Sequence, residues 1–398
     1  MDCRVAALLA MTGLGMTDPI SSLLTAAAVR ERAHEMLALA LEGRVEGWRV
    51  DLGRLEEAAD RTAAVTREAY PDLAIPFHAR WRHFVAGAPK LPEGDPQECG
   101  RAAFDLVILS VLLDAGSGPG WRYEDVGGKI FTRSEGLAVA SQRMFEAGAL
   151  ADLKSLDSAA LAKGFQVSAD NPLAGLEGRT DLLRRLGRQI EARPDLFGGR
   201  PGGLFDVLVA RADNGKLPAS AILELLLEAL GPIWSDRLTV DGVALGDCWR
   251  HPALRRDDAT DGLVPLHKLS QWLSYSLIEP LQEAGIDVVD IDGLTGLAEY
   301  RNGGLFVDAG VLVLADPADA AKTHHVSDPL IVAWRSMTVA LLDRMAPLVR
   351  ERLGVSGAQF PLARMLEGGS WAAGRRIAGE LRPGGGPPFN IASDGTVF

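Results

Sequence analysis

In "LTGLAEYRNGGLF" (residues 294–306), an acid, a phenol, a guanidinium and an amide stand side by side as Glu299, Tyr300, Arg301 and Asn302. Leu294, Leu297, Leu305 and Phe306 draw this stretch toward a core, which charged groups avoid unless they are paired or used. A carboxylate held in such a dry setting can stabilise a cationic transition state or take a proton from an attacking water. Gly303 and Gly304 would let the backbone come close to a ligand. Two readings stand at this point: a ligand site, or an internal ion pair between Glu299 and Arg301 that anchors helices.

Other segments carry groups that could serve the same chemistry. In "LVPLHKLSQWLSYSLIEPLQEAGI" (263–286), Leu266, Leu269, Leu273 and Leu277 form an apolar stripe, while Lys268, Gln271 and Tyr275 share a polar face at i, i+3 and i+7. In "DPLIVAWRSMTVALLDRMAPLVRERLG" (328–354), Arg335 falls near the apolar stripe of Ile331, Trp334 and Leu342, so it needs a carboxylate or phosphate partner. Glu299 or Asp308 would be a protein partner. "LLDAGSGPGWRYEDVGGKIFTRSEGLAVASQRMFEAG" (112–148) joins a Gly-rich loop, opening at Asp114, to a helix near Ser134. Ser134 fits an N-cap, and Glu135 in the first turn is either a helix-start acid or a site residue. His78 and His83 in "PFHARWRHF" (76–84) are five apart and lack a nearby carboxylate, so packing or anion binding fits them better than a metal. No phosphate-cradling loop, dinucleotide fingerprint, serine elbow, HExxH or paired CxxC occurs, so no cofactor or metal is signalled.

These groups must be positioned mainly by helices. Stretches such as "AAAVRERAHEMLALALEG", "RTDLLRRLGRQIEA" and "ASAILELLLEALG" have helical composition and a 3.6-residue period. The helix after Asp328 has a capping residue, then Pro329, and stops at Gly354. Strand signals are few: "DRLTVDGVALGD" (236–247) reads as a hairpin, and "GGLFVDAGVLVLAD" (303–316) as a strand or a short buried helix. Residues 1–24 are expected to form a flexible tail, with 25–398 as one helical domain, either undivided or bilobed with a cleft. A chain of 398 residues, 47% hydrophobic with net charge −12, has ample length for a core and argues against an extended nucleic-acid surface. A local basic pocket for one anionic metabolite remains compatible with that charge. The three cysteines show no disulfide or metal spacing. The apolar "VAALLAMTGLGM" lacks signal-peptide flanks, and no stretch is long enough to span a membrane. A cytoplasmic protein is expected.

The segments "IPFHARWRHF", "DLVILSVLLDAGSGPGWRYE", "TRSEGLAVAS", "LVPLHKLSQWLSYSLIEPL", "LTGLAEYRNGGLFVDAGVL", "DPLIVAWRSMTVALLD" and "ASDGTVF" resemble the family linked to uracil catabolism in fungi and bacteria. That pathway passes through a ribosylurea-type intermediate, which implies a step that cuts a ribose-to-nitrogen bond. A more distant resemblance is to the queuosine 5′-phosphate nucleosidases of queuosine salvage. "HKLSQWL" aligns Lys268 and Gln271 with that family's Lys-Arg-Ala-Gln helix, and "LAEYR" aligns Glu299, Tyr300 and Arg301 with its Phe-Ala-Asp-Tyr-Arg motif. "VAWRSMT" and "SWAAGRR" supply Arg335, Trp371 and Arg375.

The resemblance implies a multi-helical, mostly α, DNA-glycosylase-like fold with a few short strands. It also implies that Glu299 takes the place of the proposed catalytic carboxylate. The departures are the longer Glu299 for Asp, Leu297 for an aromatic, and Asn302-Gly303-Gly304 for a Leu-Pro-Gln-like run. The expectation is an N-ribosyl hydrolase with Glu299 catalytic and Lys268, Gln271, Tyr300, Arg301, Arg335, Trp371, Arg375, Glu135 and Asp114 binding a small nucleoside- or nucleotide-like substrate. The alternative is a non-catalytic ligand-binding or partner subunit of a cyclohydrolase-like enzyme in the same pathway.

Overall fold

Caps and turn residues fix the helix boundaries closely. The Thr25 hydroxyl accepts the Ala28 N–H at 3.1 Å to open α1 (Ala26–Leu41), and α2 spans Leu55–Ala69. Asp95 caps α3 (Pro96–Leu112), with Pro96 in the first turn. Then come α4 (Arg133–Glu146), α5 (Ser158–Gly164), α6 (Leu176–Ala192), α7 (Pro194–Phe197), α8 (Gly203–Arg211) and α9 (Ala219–Leu230). The C-terminal part holds α10 (Lys268–Glu283), α11 (Tyr300–Asp308), α12 (Pro329–Leu353), α13 (Leu362–Met365) and α14 (Trp371–Leu381). These are features of a computed structural model that describes residues 18–85, 91–92, 94–118, 120–235 and 237–392. The apolar N-terminal "VAALLAMTGLGM" and residues 393–398 of "ASDGTVF" lie outside the described residues.

The chain is mostly helical, and among the described residues its strands pair only in twos. The expected hairpin pairs Thr239–Val240 with Val243–Ala244 through Asp241 (φ +49°) and Gly242 (φ +80°), the left-handed pair that a tight two-residue turn requires. The ambiguous 303–316 stretch resolves into both alternatives. Its first half belongs to α11, and Leu312–Leu314 forms a strand against Trp48–Val50. α10 begins at Lys268, later than the periodicity suggests, because Leu263–Pro265 is a strand paired with Cys248–Arg250.

The central layer is α12, against which α1, α2 and α11 pack; α11 also lies on α14, and α10 sits between α3 and α9. One apolar cluster runs from Ala26 to Phe389, so the helices share a core. The described part of the expected tail is packed: Ile20 and Leu23 are buried with Leu245, Cys248 and Leu263. Among the described residues no helix is long and apolar enough to cross a membrane.

Two glycines set the close crossings near residue 300. A Cβ on Gly374 of α14 would stand 2.1 Å from the Arg301 carbonyl oxygen, so α14 touches the α11 backbone only because that side chain is missing. A Cβ on Gly303 would meet the Trp334 indole at 2.7 Å, and the Gly303 carbonyl accepts Trp334 Nε1–H at 3.0 Å. Gly303 therefore brings α11 onto α12. This corrects the expectation that it opens the backbone to a ligand.

Candidate active site

Asp247, largely buried, anchors the candidate site. Its carboxylate accepts both ends of the Arg335 guanidinium at 2.8 Å, Trp249 Nε1–H at 2.7 Å and the Lys268 backbone N–H at 3.0 Å. Burial pushes this carboxyl up, but the Arg335 charge and the hydrogen bonds outweigh it and hold the group well below the usual carboxylate range. Arg335 also donates Nε–H to the Ala298 carbonyl at 3.2 Å. One guanidinium thus ties the residue before Glu299 to the start of α10. Among the described residues Arg335 pairs with Asp247 and not with Glu299 or Asp308, and Asp308 pairs with Arg382. Spacing could not reveal this, because residues 247 and 335 meet only through the fold.

His267 precedes Lys268 in the left-handed region at φ +47°, a costly conformation for a non-glycine. Asp247 pins it through a carbonyl that accepts the His267 N–H at 3.1 Å, and its ring bonds the Leu23 carbonyl at 2.9 Å. The chain therefore turns sharply before α10 and directs Lys268 inward. The Lys268 side chain is nearly buried, and among the described residues no group hydrogen-bonds or ion-pairs with its Nζ. It lies 5.8 Å from the centre of the Trp272 ring, while Arg80 lies 5.5 Å from that same centre. Burial lowers the Lys268 pKa, and the charges of Glu299, Asp114 and Asp247 oppose that shift.

Glu299 caps α11. Its carboxylate accepts the Arg301 N–H at 2.8 Å and the N–H of Asn302, where the helix macrodipole also favours a negative charge. Burial is the largest influence and raises its pKa, against those N–H bonds and the charges of Lys268 and His78. The expected alternative of a Glu299–Arg301 ion pair is not what forms. The Arg301 guanidinium donates to the Gly385 carbonyl at 2.7 Å and lies 4.8 Å from the Tyr300 ring centre.

The other expected residues fall into three groups. Trp371, Arg375 and Glu135 form one wall: Arg375 lies over the Trp371 ring at 5.6 Å and reaches Glu135 at 3.9 Å. Asp114 belongs to a second group, pairing with the fully buried Arg80 at 3.0 Å and accepting the Ser134 hydroxyl at 2.8 Å. Ser134 is thus not the N-cap of α4. Thr132 takes that place because the strand Ile130–Thr132 runs straight into the helix. The Gly-rich loop after Asp114 is held by Arg179, which donates to the Ala115 and Gly116 carbonyls at 2.6 and 2.8 Å. Gln271 and Tyr275 are buried and lie on no solvent face. Gln271 accepts the Thr295 N–H at 3.3 Å, its Nε2 has no partner among the described residues, and the Tyr275 hydroxyl donates to the Thr295 carbonyl at 2.9 Å.

Sequence reasoning passed over Trp272 and Glu367, and gave His78 only a packing or anion-binding role. Trp272 lies four residues after Lys268 on the same helical face, a spacing that was available, but an indole reads as core. His78 pairs through Nδ1 with Glu367 Oε2 at 2.7 Å, and its ring stands 6.0 Å from that of Trp272 and 6.5 Å from that of Trp371. Glu367 sits on a single π-helical turn, Leu366–Ser370, a local irregularity frequent at functional sites. Among the described residues, no group of three His, Cys, Asp or Glu side chains could hold a metal.

The helical frame thus gathers around one spot a capped carboxylate, a nearly buried ammonium that has no ion-pair partner among the described residues, and two tryptophans. The chain belongs to the family described as protein of unknown function (DUF1688), whose profile matches residues 22–398. It is similar to Protein urg3 of Schizosaccharomyces pombe, 40% identical over 96% of this chain and 100% of that protein. It is also similar to Uracil catabolism protein 4 of Lachancea kluyveri, 36% identical over 96% of this chain and 99% of that one.

The buried ammonium leads to a first prediction. A charge with no counter-ion hydrogen bond, as Lys268 has none among the described residues, costs stability, so Lys268→Met should melt at the same temperature as the parent or higher. The variant should also lose any thermal shift that ribose 5-phosphate gives the parent. A loss of several kcal/mol in urea denaturation would instead make Lys268 a structural tie.

Proposed function

We propose that the chain is an N-ribosyl hydrolase of uracil catabolism, cutting the ribose-to-nitrogen bond of a ribosylurea-like or pyrimidine-derived ribosyl compound, free or as its 5′-phosphate. The observation that carries this reading is the Glu299 carboxylate, buried at the start of α11 and close enough to feel the Lys268 charge. Cleavage of an N-ribosyl bond builds positive charge on the sugar, and a carboxylate in low dielectric stabilises that charge or deprotonates the incoming water.

Lys268 and Arg375, with the buried Arg301, supply cations for a phosphate or for ribose hydroxyls, and Trp371 and Tyr300 offer faces for the sugar or base. Gln271, Glu135 and Asp114 are polar groups for hydroxyls or the leaving fragment. Arg335 serves by holding the two helix starts in register. The helical frame fits the glycosylase-like architecture implied by the queuosine-nucleosidase resemblance, and the name of the Lachancea kluyveri relative supports the pathway.

The test is release of ribose or ribose 5-phosphate when purified protein is given, separately, ribosylurea, its 5′-phosphate, uridine, UMP and queuosine 5′-phosphate. Release from one of them identifies the leaving group. No release from any, with thermal stabilisation by one, overturns the hydrolase and favours a binding subunit that works beside a pathway enzyme.

A further inference from the structure

We propose that His78 is the general acid of the cleavage, its Nε2 delivering a proton to the departing nitrogen while Glu367 holds the opposite edge of the ring. The inference rests on the N-ribosyl reading above and adds the proton donor that reading lacks. His78 is only 7% exposed, its backbone N–H is fixed to the Ala363 carbonyl at 3.0 Å, and its Nδ1 to Glu367 at 2.7 Å. Among the described residues no protein group bonds Nε2.

Glu367 is built into place. A Cβ on Gly368 would meet Ile75 at 2.9 Å, and one on Gly369 would meet Thr62 and Thr66 at 2.6 Å, so the π turn seats deep against α2. Burial pushes the Glu367 carboxyl up, but the hydrogen bond and charge of His78 more than offset this, so it stays an acceptor. A carboxylate accepting Nδ1–H sets the tautomer and steadies the imidazolium, leaving Nε2–H as the donor.

The ring lies beside both tryptophans, and its charge is felt by Glu299. The charged or titratable groups around the dyad are Glu299, His83, Arg80, Arg82, Tyr70, which interacts with the Glu367 carboxylate, and Glu279. His83 does not compete for the role: burial, then the charges of Arg80 and His78, lower it to about 3, and its Nδ1 is engaged with Ser134 at 3.2 Å.

The step balances without a co-reactant. The C1′–N bond breaks with its electron pair going to nitrogen, which takes the proton from Nε2. Water bonds to C1′ through oxygen and yields its proton to Glu299, and solvent returns that proton to His78. A urea or base nitrogen leaves poorly without a proton, whereas 4-nitrophenolate needs none. His78→Asn keeps an N–H for Glu367, so the dyad's hydrogen bond and the fold are preserved.

The probes are the N-riboside that the wild type cleaves and 4-nitrophenyl β-D-ribofuranoside, each with and without a 5′-phosphate. His78→Asn should lose about 10²–10⁴-fold in kcat/KM on the N-riboside and less than about tenfold on the nitrophenyl riboside. Glu367→Gln should show the same split to a smaller degree, and Glu299→Gln should fail on both. Equal loss by His78→Asn on both substrates, or none on either, overturns the assignment while leaving the hydrolase standing. A wild type inert on every probe overturns the hydrolase reading and this assignment with it.

Discussion

Arg335→Met is expected to cost about 3–5 kcal/mol of unfolding free energy at pH 7, the range found when one partner of a buried ion pair is removed. The reason is Asp247. Its carboxylate is largely buried, with the side chain 13% exposed, and the strongest of its four donors come from the Arg335 guanidinium, two bonds at 2.8 Å. Without Arg335 the largely desolvated charge keeps, among the described residues, only Trp249 Nε1–H and the Lys268 N–H to hold it. The pH dependence has a definite sign. In the wild type the depressed Asp247 contributes stability that is present above its unfolded pKa of about 3.9 and is lost as pH falls toward its folded value. In the variant, burial raises the same group, and protonation relieves the penalty as pH falls from 7 toward 4. The gap between the two proteins in urea denaturation should therefore narrow on acidification. Adding Asp247→Asn should cost less than the sum of the single changes, because the pair acts as a unit. A constant gap, or additive losses, would mean that the pair is not what holds α10 and α11 in place.

Glu299→Gln is expected to lower kcat by about 10³-fold or more while leaving the fold intact. Loss of a group that acts on the reacting atoms has effects of this size. The stability side distinguishes this from simple damage. The Glu299 pKa is raised, so its ionised form is disfavoured in the folded protein, and its contribution is fully present only below the unfolded pKa of about 4.3. That contribution is lost as pH rises through the folded value. A Gln oxygen can still accept the Arg301 or Asn302 N–H, so the variant should match or exceed the wild-type melting temperature at pH 8 and fall behind it near pH 4. A group kept at the expense of stability is the signature of a functional site.

Much of the frame is legible in the sequence, because local rules fix it. The bounds of α12 follow from Pro329 and Gly354, and the hairpin around Asp241-Gly242 follows from turn chemistry. The polar cluster at 299–302 is legible as a conflict between charge and burial, but its resolution is not. Glu299 turns out to be an N-cap, and Arg301 looks away toward Gly385. What spacing cannot show is partnership across the fold. Asp247 and Arg335 meet at a distance in the chain that no periodicity spans, as do His78 and Glu367. Glu367 also rests on a π turn, which leaves no pattern of its own. Gly303 illustrates a further gap: a glycine in the sequence signals close approach without saying to what, and here the neighbour is an indole.

The measurement that bears most directly on the central claim is a single-turnover proton NMR assay of the anomeric signal of ribosylurea 5′-phosphate, with stoichiometric wild type and Glu299→Gln in parallel. The expected result is conversion of that signal to those of free ribose 5-phosphate with the wild type, and none on the same timescale with the variant. Conversion by both proteins at rates within tenfold of each other would contradict the placement of the chemistry at Glu299.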